Sequence, residues 1–403
     1  GNTVINTVKA GQDAAVSQTS DGNLTIGSVS AKKDASVAHN GDGNTSIDTV
    51  TAGGNALVSQ DGDGDTTLGA VSAKKDASVT HNGNGNTSVD TVTAIVNALV
   101  SQNGKGNLTV DMLKAGEDAS VLRKGAGNTE IGTATAGSDV DIEQTKGDLS
   151  LGKASGTTVT VLQGDNTKKS RIGTIEANAS GGKKKDVTLG GNYVEVDSVK
   201  ETGGKGKLTM ETQGASKDQA IHDFTIGEIS GTKDGTVIDE LWTNNGSIYV
   251  KDGDLHISKL YPQGSNEYPE GKVVAYNDKI SVAAFGGQAT RGRETVNYLV
   301  NTTRNNPASA LEDWYDGSYK DLRWMYLDLL ADGEIYASGD ALIDENGYKH
   351  AYGHKDSIVT MMRYYLEGDL GADNGIVYYD RYNLVSGETV AGNASEDEIS
   401  IEQ

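Results

Sequence analysis

Apolar residues recur along the first third of the chain with a period of 21, in seven repeats opening at Gly1, Gly22, Gly43, Gly64, Gly85, Gly106 and Gly127. Within each repeat, position 5 is Ile, Leu or Val (Ile5, Ile26, Ile47, Leu68), and position 8 is Val in the first five (Val8, Val29, Val50). Position 10 is Ala throughout, and positions 14 and 16 are Ala and Val in the first six, as in Ala56 and Val58. Pairs two apart place side chains on one face of a strand. Position 5 is out of step with position 8, and the turn former at position 6 (Asn6, Gly27, Asp48, Gly69) predicts a bend between them.

Two further corners follow from Asx columns. One is position 13, running from Asp13, Asp34 and Asn55 to Asp139; the other is the repeat opening, from Asn2, Asn23 and Asn44 to Asn128. Three corners enclose three short faces, so the fold class predicted is all-β: a right-handed, three-faced parallel β-helix of 21-residue coils. Stacked Asn side chains can hydrogen-bond from coil to coil and satisfy the polar groups of a tight turn. The segment Ala31 to Val37 recurs identically at Ala73 to Val79, a 42-residue echo that marks duplication.

The same grammar continues as Leu151 to Ala154, Ile172 to Ile175, Val196 to Val199, Ile226 to Ile229 and Ile257 to Leu260, with spacings that lengthen from 21 to 31. Twelve coils running to about residue 285 would make a rod of roughly 55–60 Å. The reading divides the chain into regular coils at 1–146, loop-decorated coils at 147–290, a small α/β cap at 291–395 and an acidic tail at 396–403. In the cap, Ser318 and Asp321 form a capping box before Leu322, Met325, Tyr326, Leu329 and Leu330, predicting one helix, and Ser357 to Leu366 predicts another. Asn346-Gly347 reads as a hairpin turn and Gly375 to Val385 as a strand.

All 22 aromatic residues fall at or after Tyr193, so the regular coils must rely on aliphatic cores and on stacking against one another. A net charge of -22 argues against nucleic acid and anionic membrane surfaces as partners, and no apolar run is long enough to span a bilayer. Cysteine is absent, which rules out disulfide stapling.

Gly22 to Ala31 (GNLTIGSVSA) and Gly43 to Ala52 (GNTSIDTVTA), each followed by Asx-Ala-x-Val, resemble the shaft coils of filamentous haemagglutinin-like exoproteins of two-partner secretion. The resemblance covers residues 1 to about 285. It implies an extracellular adhesin-type fibre on the surface of a diderm bacterium, with a host or bacterial surface glycan or protein as receptor. The first coil carries the same rungs as the interior ones, so its edge is expected to be covered by upstream coils of the same chain or by a neighbouring copy, making a head-to-tail filament subunit. Trp314, Tyr315, Trp324, Tyr378 and Tyr379 are the candidate assembly contacts.

No catalytic, cofactor or metal set is assigned, and the chain is not expected to be an enzyme. Two rival readings stand beside the fibre. A carbohydrate-active β-helix lyase or hydrolase would place Asp239, Glu240 and Trp242, or Asp252, Asp254 and His256, along a groove. A calcium-dependent module would use Asp61, Asp63 and Asp65, although turn chemistry explains the same residues. His39 and His81 share position 18 with Gln18, Gln60 and Gln102 and read as a polar surface column; His350, His354 and Asp356 flank the predicted hairpin.

Overall fold

The computed structural model describes residues 1–165, 170–178, 185–214, 223–243, 247–253, 255–258 and, as backbone, the strands that follow up to Val390. The chain is a parallel β-solenoid of about 11 turns with coils of about 21 residues, and the described residues contain no helix. It divides into two units, Gly1–Ser180 with Asp186–Val194, and Gly181–Lys185 with Glu195–Gln403.

In the first unit each regular coil contributes one long and one short strand, such as Leu24–Ala31 and Ala35–His39. Long strands stack on long strands and short on short, always parallel, with a displacement of 21 residues: Ile5↔Ile26↔Ile47↔Leu68 in one sheet and Val16↔Val37↔Val58↔Val79 in the other. Positions 5, 8, 10, 14 and 16 form the core, with Ile47, Val50, Ala52, Ala56 and Val58 all buried. The bend predicted at position 6 lies inside the long strand. Ladder partners skip from Ile26↔Ile47 to Ser28↔Thr49, and two successive residues point outward there, so one strand covers two of the three faces.

The outer corners close as their Asx columns predict. At position 13 the Asn55 amide donates to Asp34 Oδ1 (2.7 Å) and the Asn97 amide to Asp76 Oδ1 (3.1 Å). At position 2 Asn44 donates to Asn23 Oδ1 (3.0 Å) and Asn107 to Asn86 Oδ1 (2.9 Å). The seventh coil is shorter, pairing Ile131 with Leu151 and Val140 with Val159, while the interval from Val159 to Val187 takes an insertion.

In the second unit the strands shorten. Leu208–Gln213, Thr236–Ile238 and Leu255–Ile257 stack in parallel, as do Asp223–Ser230 and Ser247–Val250. A third ladder joins Leu241–Thr243 to Leu260–Pro262. Its core adds Phe224 to Ile226, Ile229, Met210, Leu241 and Ile248. Ile257 proves to be stacked on Ile238, not on Ile226, which is paired with Ile248; the late coils are therefore shorter than the motif spacing implied.

Parallel stacking also runs past residue 285, through Glu270–Ala275 with Trp324–Ala331 and Ile280–Val282 with Glu334–Ala337. The segments predicted as helices are strands wherever they are described: Trp324–Ala331 pairs antiparallel with Ser357–Tyr365, which in turn pairs with Ile376–Tyr379. The helical spacing of Met325, Tyr326, Leu329 and Leu330 is overridden by the sheet partners on both sides, and Ile358, Val359, Thr360, Tyr364 and Tyr365 are strand formers. The Asn346-Gly347 turn and the acidic tail lie outside the described residues, although Glu334–Ala337 does pair antiparallel with Tyr352–Gly353 on either side of that turn.

Candidate functional site

The corner at positions 19 to 2 has no strand on it, so its backbone groups need partners from elsewhere. Glycine occupies position 20 (Gly41, Gly62, Gly83, Gly104) and position 1, and both columns touch backbone to backbone. A Cβ on Gly83 would lie 1.9 Å from the Gly62 carbonyl oxygen, and one on Gly64 2.2 Å from that of Gly43. Between them, the outward position 21 supplies acceptors to the coil above, as when Asp42 Oδ1 receives the Asp63 amide at 3.0 Å.

The inward carbonyls are met from inside. Position 18 continues the inward alternation of positions 14 and 16, and its residues are buried: Gln18, His39, Gln60, His81, Gln102, Arg123, Gln144 and, in the shortened eighth coil, Gln163. They form an internal polar column, and the expectation of a surface column is overturned. Parity along the strand decides the direction, and polarity does not. Gln60 Nε2 donates to the Gly41 and Gly43 carbonyls at 3.3 and 2.9 Å, and Gln102 Nε2 to Gly85 at 2.7 Å. His81 Nε2 donates to the Gly62 carbonyl (3.1 Å), leaving Nδ1 to accept from Thr87 Oγ1 (2.8 Å). Around His39 a chain runs through three coils: Gln18 Nε2 to His39 Nε2 (3.3 Å), His39 Nδ1 to Thr45 Oγ1 (2.8 Å), and Thr45 Oγ1 to Gln60 Oε1.

Arg123 is the extreme member, fully buried and, among the described residues, without a carboxylate paired to it. Its guanidinium donates to the carbonyls of Gly104, Gly106 and Ala126, with a longer contact to Gln102, while Nε has no partner. Burial pulls its pKa below the usual guanidinium value. Burial also lowers the pKa of His81, against the Gly62 hydrogen bond and the fields of Asp65 and Asp63 that raise it; the Arg123 charge adds to the lowering. The column is thus poised for structure, holding one fixed cation and two imidazoles hydrogen-bonded among backbone dipoles.

The calcium candidates are separated onto three outer columns. Asp61 Oδ1 accepts from Asn82 Nδ2 (2.6 Å), Asp63 Oδ1 from the Asn84 amide and Nδ2 (both 2.9 Å), and Asp65 Oδ1 from the Asn86 amide (2.7 Å) and Nδ2 (3.1 Å). Among the described residues no three His, Asp or Glu side chains converge on a common point.

The carbohydrate candidates divide. Asp239 pairs with Lys185 at 2.9 Å, and Lys185 also binds Glu211, so the two carboxylates share one ammonium. Desolvation pulls the Lys185 pKa down, and these two carboxylates outweigh it, leaving a net rise. His256 is half-buried, and desolvation lowers its pKa against the field of Asp239. Asp252 instead closes a corner, its backbone carbonyl accepting from Thr232 Oγ1 at 2.5 Å. Asp254, His350, His354, Asp356, Trp314 and Tyr315 lie outside the described residues, as does the side chain of Trp242. Trp324 opens the strand Trp324–Ala331, and Tyr378 and Tyr379 lie on the last strand of the first sheet.

Sequence reasoning missed an open groove of about 780 Å³ on the outside of the first unit, lined by Asn107, Thr109, Asn128, Glu130, Ser150 and Arg171 among others. Thr109, Glu130, Ser150 and Arg171 stand in one outward column, in register on four successive strands. The replacement of the usual Ser or Thr at position 4 by Glu130 and Arg171 is the signal that marks it in the sequence. No helix among the described residues is long and apolar enough to cross a membrane. No family model, curated protein or solved structure matches this chain.

Proposed function

We propose that this chain is a shaft segment of an extracellular adhesive or structural fibre at the surface of a diderm bacterium, joined head to tail to further coils of its own chain or to another copy. The observation that carries the reading is the closure of every regular coil by its neighbours. Asx ladders outside and the position-18 column inside bind each corner to the next, so the repeats add length and stiffness. The resemblance of Gly22 to Ala31 and Gly43 to Ala52 to haemagglutinin-like exoprotein coils points the same way. The calcium reading is weakened because the Asp61, Asp63 and Asp65 carboxylates are spent on separate ladders.

The test is made on intact source cells. Antibody against residues 1–146 should label the surface, externally added protease should remove the label, and electron microscopy of the shed material should show thin rods. Label that is reached only after cell lysis would overturn the reading.

A further inference from the structure

The groove beside Glu130 and Arg171 is where the regular surface chemistry changes. Where a carboxylate stands in the coil before, it takes the Asn side-chain amide, as Asp63 takes Asn84 Nδ2, Asp65 takes Asn86 Nδ2 and Asp76 takes Asn97 Nδ2; where Asn stacks on Asn at position 2, as Asn44 does on Asn23, the backbone amide alone is bonded to the Oδ1 below. At the groove Asn107 stacks on Asn86 and Asn128 on Asn107. Each Oδ1 is used by the following amide, at 3.0 Å for Asn128 and 3.1 Å for Asp148, which leaves the Nδ2 donors for a ligand. In the neighbouring column Glu130 and Arg171 are both exposed, with the Ser150 strand between them. Two strand spacings, about 9.6 Å, separate their backbones, and among the described residues neither side chain has an ion pair.

We propose that this groove binds a linear, carboxylate-bearing glycan laid along the stacking direction. Arg171 offers the planar fork that grips a carboxylate through two parallel hydrogen bonds. Asn107 and Asn128 donate to sugar oxygens at the coil repeat, and Glu130, Thr109 and Ser150 meet hydroxyl groups. The groove volume falls within the usual range for ligand sites. A peptide added as a strand is disfavoured because the strands carrying these residues are already paired on both sides. A polyphosphate is disfavoured because Arg171 is the single cation among the lining residues, enough to grip one carboxylate but not a run of phosphates. The inference rests on the adhesive reading for its biological setting, but its test does not depend on where the chain resides.

The experiment is calorimetric titration of the whole chain with uronate tetrasaccharides of galacturonate, mannuronate and alternating glucuronate type, their methyl esters, and a neutral cellotetraose. At least one uronate should bind, its ester at least ten-fold more weakly, and cellotetraose more weakly still. Arg171→Gln should abolish the preference for acid over ester, Glu130→Gln should weaken binding to both forms, and Lys9→Gln, remote from the groove, should change neither. Binding that is indifferent to esterification or to Arg171→Gln, or failure of every uronate to bind, overturns the proposal. Surface labelling of intact cells would still decide the fibre reading separately.

Discussion

Replacing Arg123 separates the two jobs a buried guanidinium can have, carrying charge and capping carbonyls. Arg123→Met removes the donors to Gly104, Gly106 and Ala126 without changing the chain path much. A buried acceptor left without a partner costs about 1–3 kcal/mol. Three of them, less the relief of no longer burying a cation, give a loss of about 3–6 kcal/mol. Arg123→Gln should behave differently, because Gln60 already shows one amide covering two corner carbonyls. Only the Ala126 carbonyl is then uncovered, and the removed charge offsets most of that, so the change should stay within about 1 kcal/mol. Stacked coils need not unfold in one step, and hydrogen exchange is therefore the suitable assay. The amides of Leu108 and Thr129, bonded to the Asn128 and Asp148 carbonyls at 2.9 Å, report on the coils either side. In Arg123→Met they should exchange roughly 100-fold faster or more, at about 1.4 kcal/mol per factor of ten. Protection in Arg123→Met equal to that of the unmodified chain, or Arg123→Gln as damaging as Arg123→Met, would refute the capping role.

Three further outcomes are expected. His81 has a depressed pKa in the folded state, so the unfolded chain takes up the proton first: stability is full above the unfolded value near 6.5 and is lost as pH falls towards the lower folded value. His81→Gln should flatten that part of the melting-temperature profile between pH 7.5 and 5, and an unchanged slope would count against it. Gly83→Ala should destabilise by about 1–3 kcal/mol in urea titration, since its Cβ meets the Gly62 carbonyl, whereas Gly11→Ala, with open space around it, should be silent. Val58→Asp should cost about 3–5 kcal/mol by placing an unpaired carboxylate in the aliphatic core, while exposed Lys74→Gln should stay within about 0.5 kcal/mol; equal melting of Val58→Asp and the unmodified chain would contradict the rung assignment.

The rungs at positions 5, 8, 10, 14 and 16 and the three Asx-bearing corners were legible because the 21-residue period superposes equivalent residues, so any accident in one coil is corrected by the others. Position 18 was misread although its signal was present: it has the parity of Ala56 and Val58 within Ala56–Gln60, and only its polarity argued for the outside. What justified burial was the set of inward glycine carbonyls, a backbone property that side-chain patterns do not reveal. Coils after Val187 lost their phase because insertions changed the spacing, which placed Ile257 on the wrong rung. The segment from Trp324 satisfied a helical period, yet neighbouring strands on both sides set its conformation.

The alternation inside the position-18 column bears on how such a chain can change length over generations. Gln18, His39, Gln60, His81 and Gln102 alternate, and the proton chain through His39 and Thr45 needs a glutamine on either side. Excising one coil would bring two glutamines or two histidines into adjacent layers, whereas excising two restores every donor to its acceptor. The segment Asn55 to Gln60, repeated unchanged at Asn97 to Gln102, fits an inheritance in which the alternating coils were copied in pairs of 42 residues, a step of about 9.6 Å along the stack.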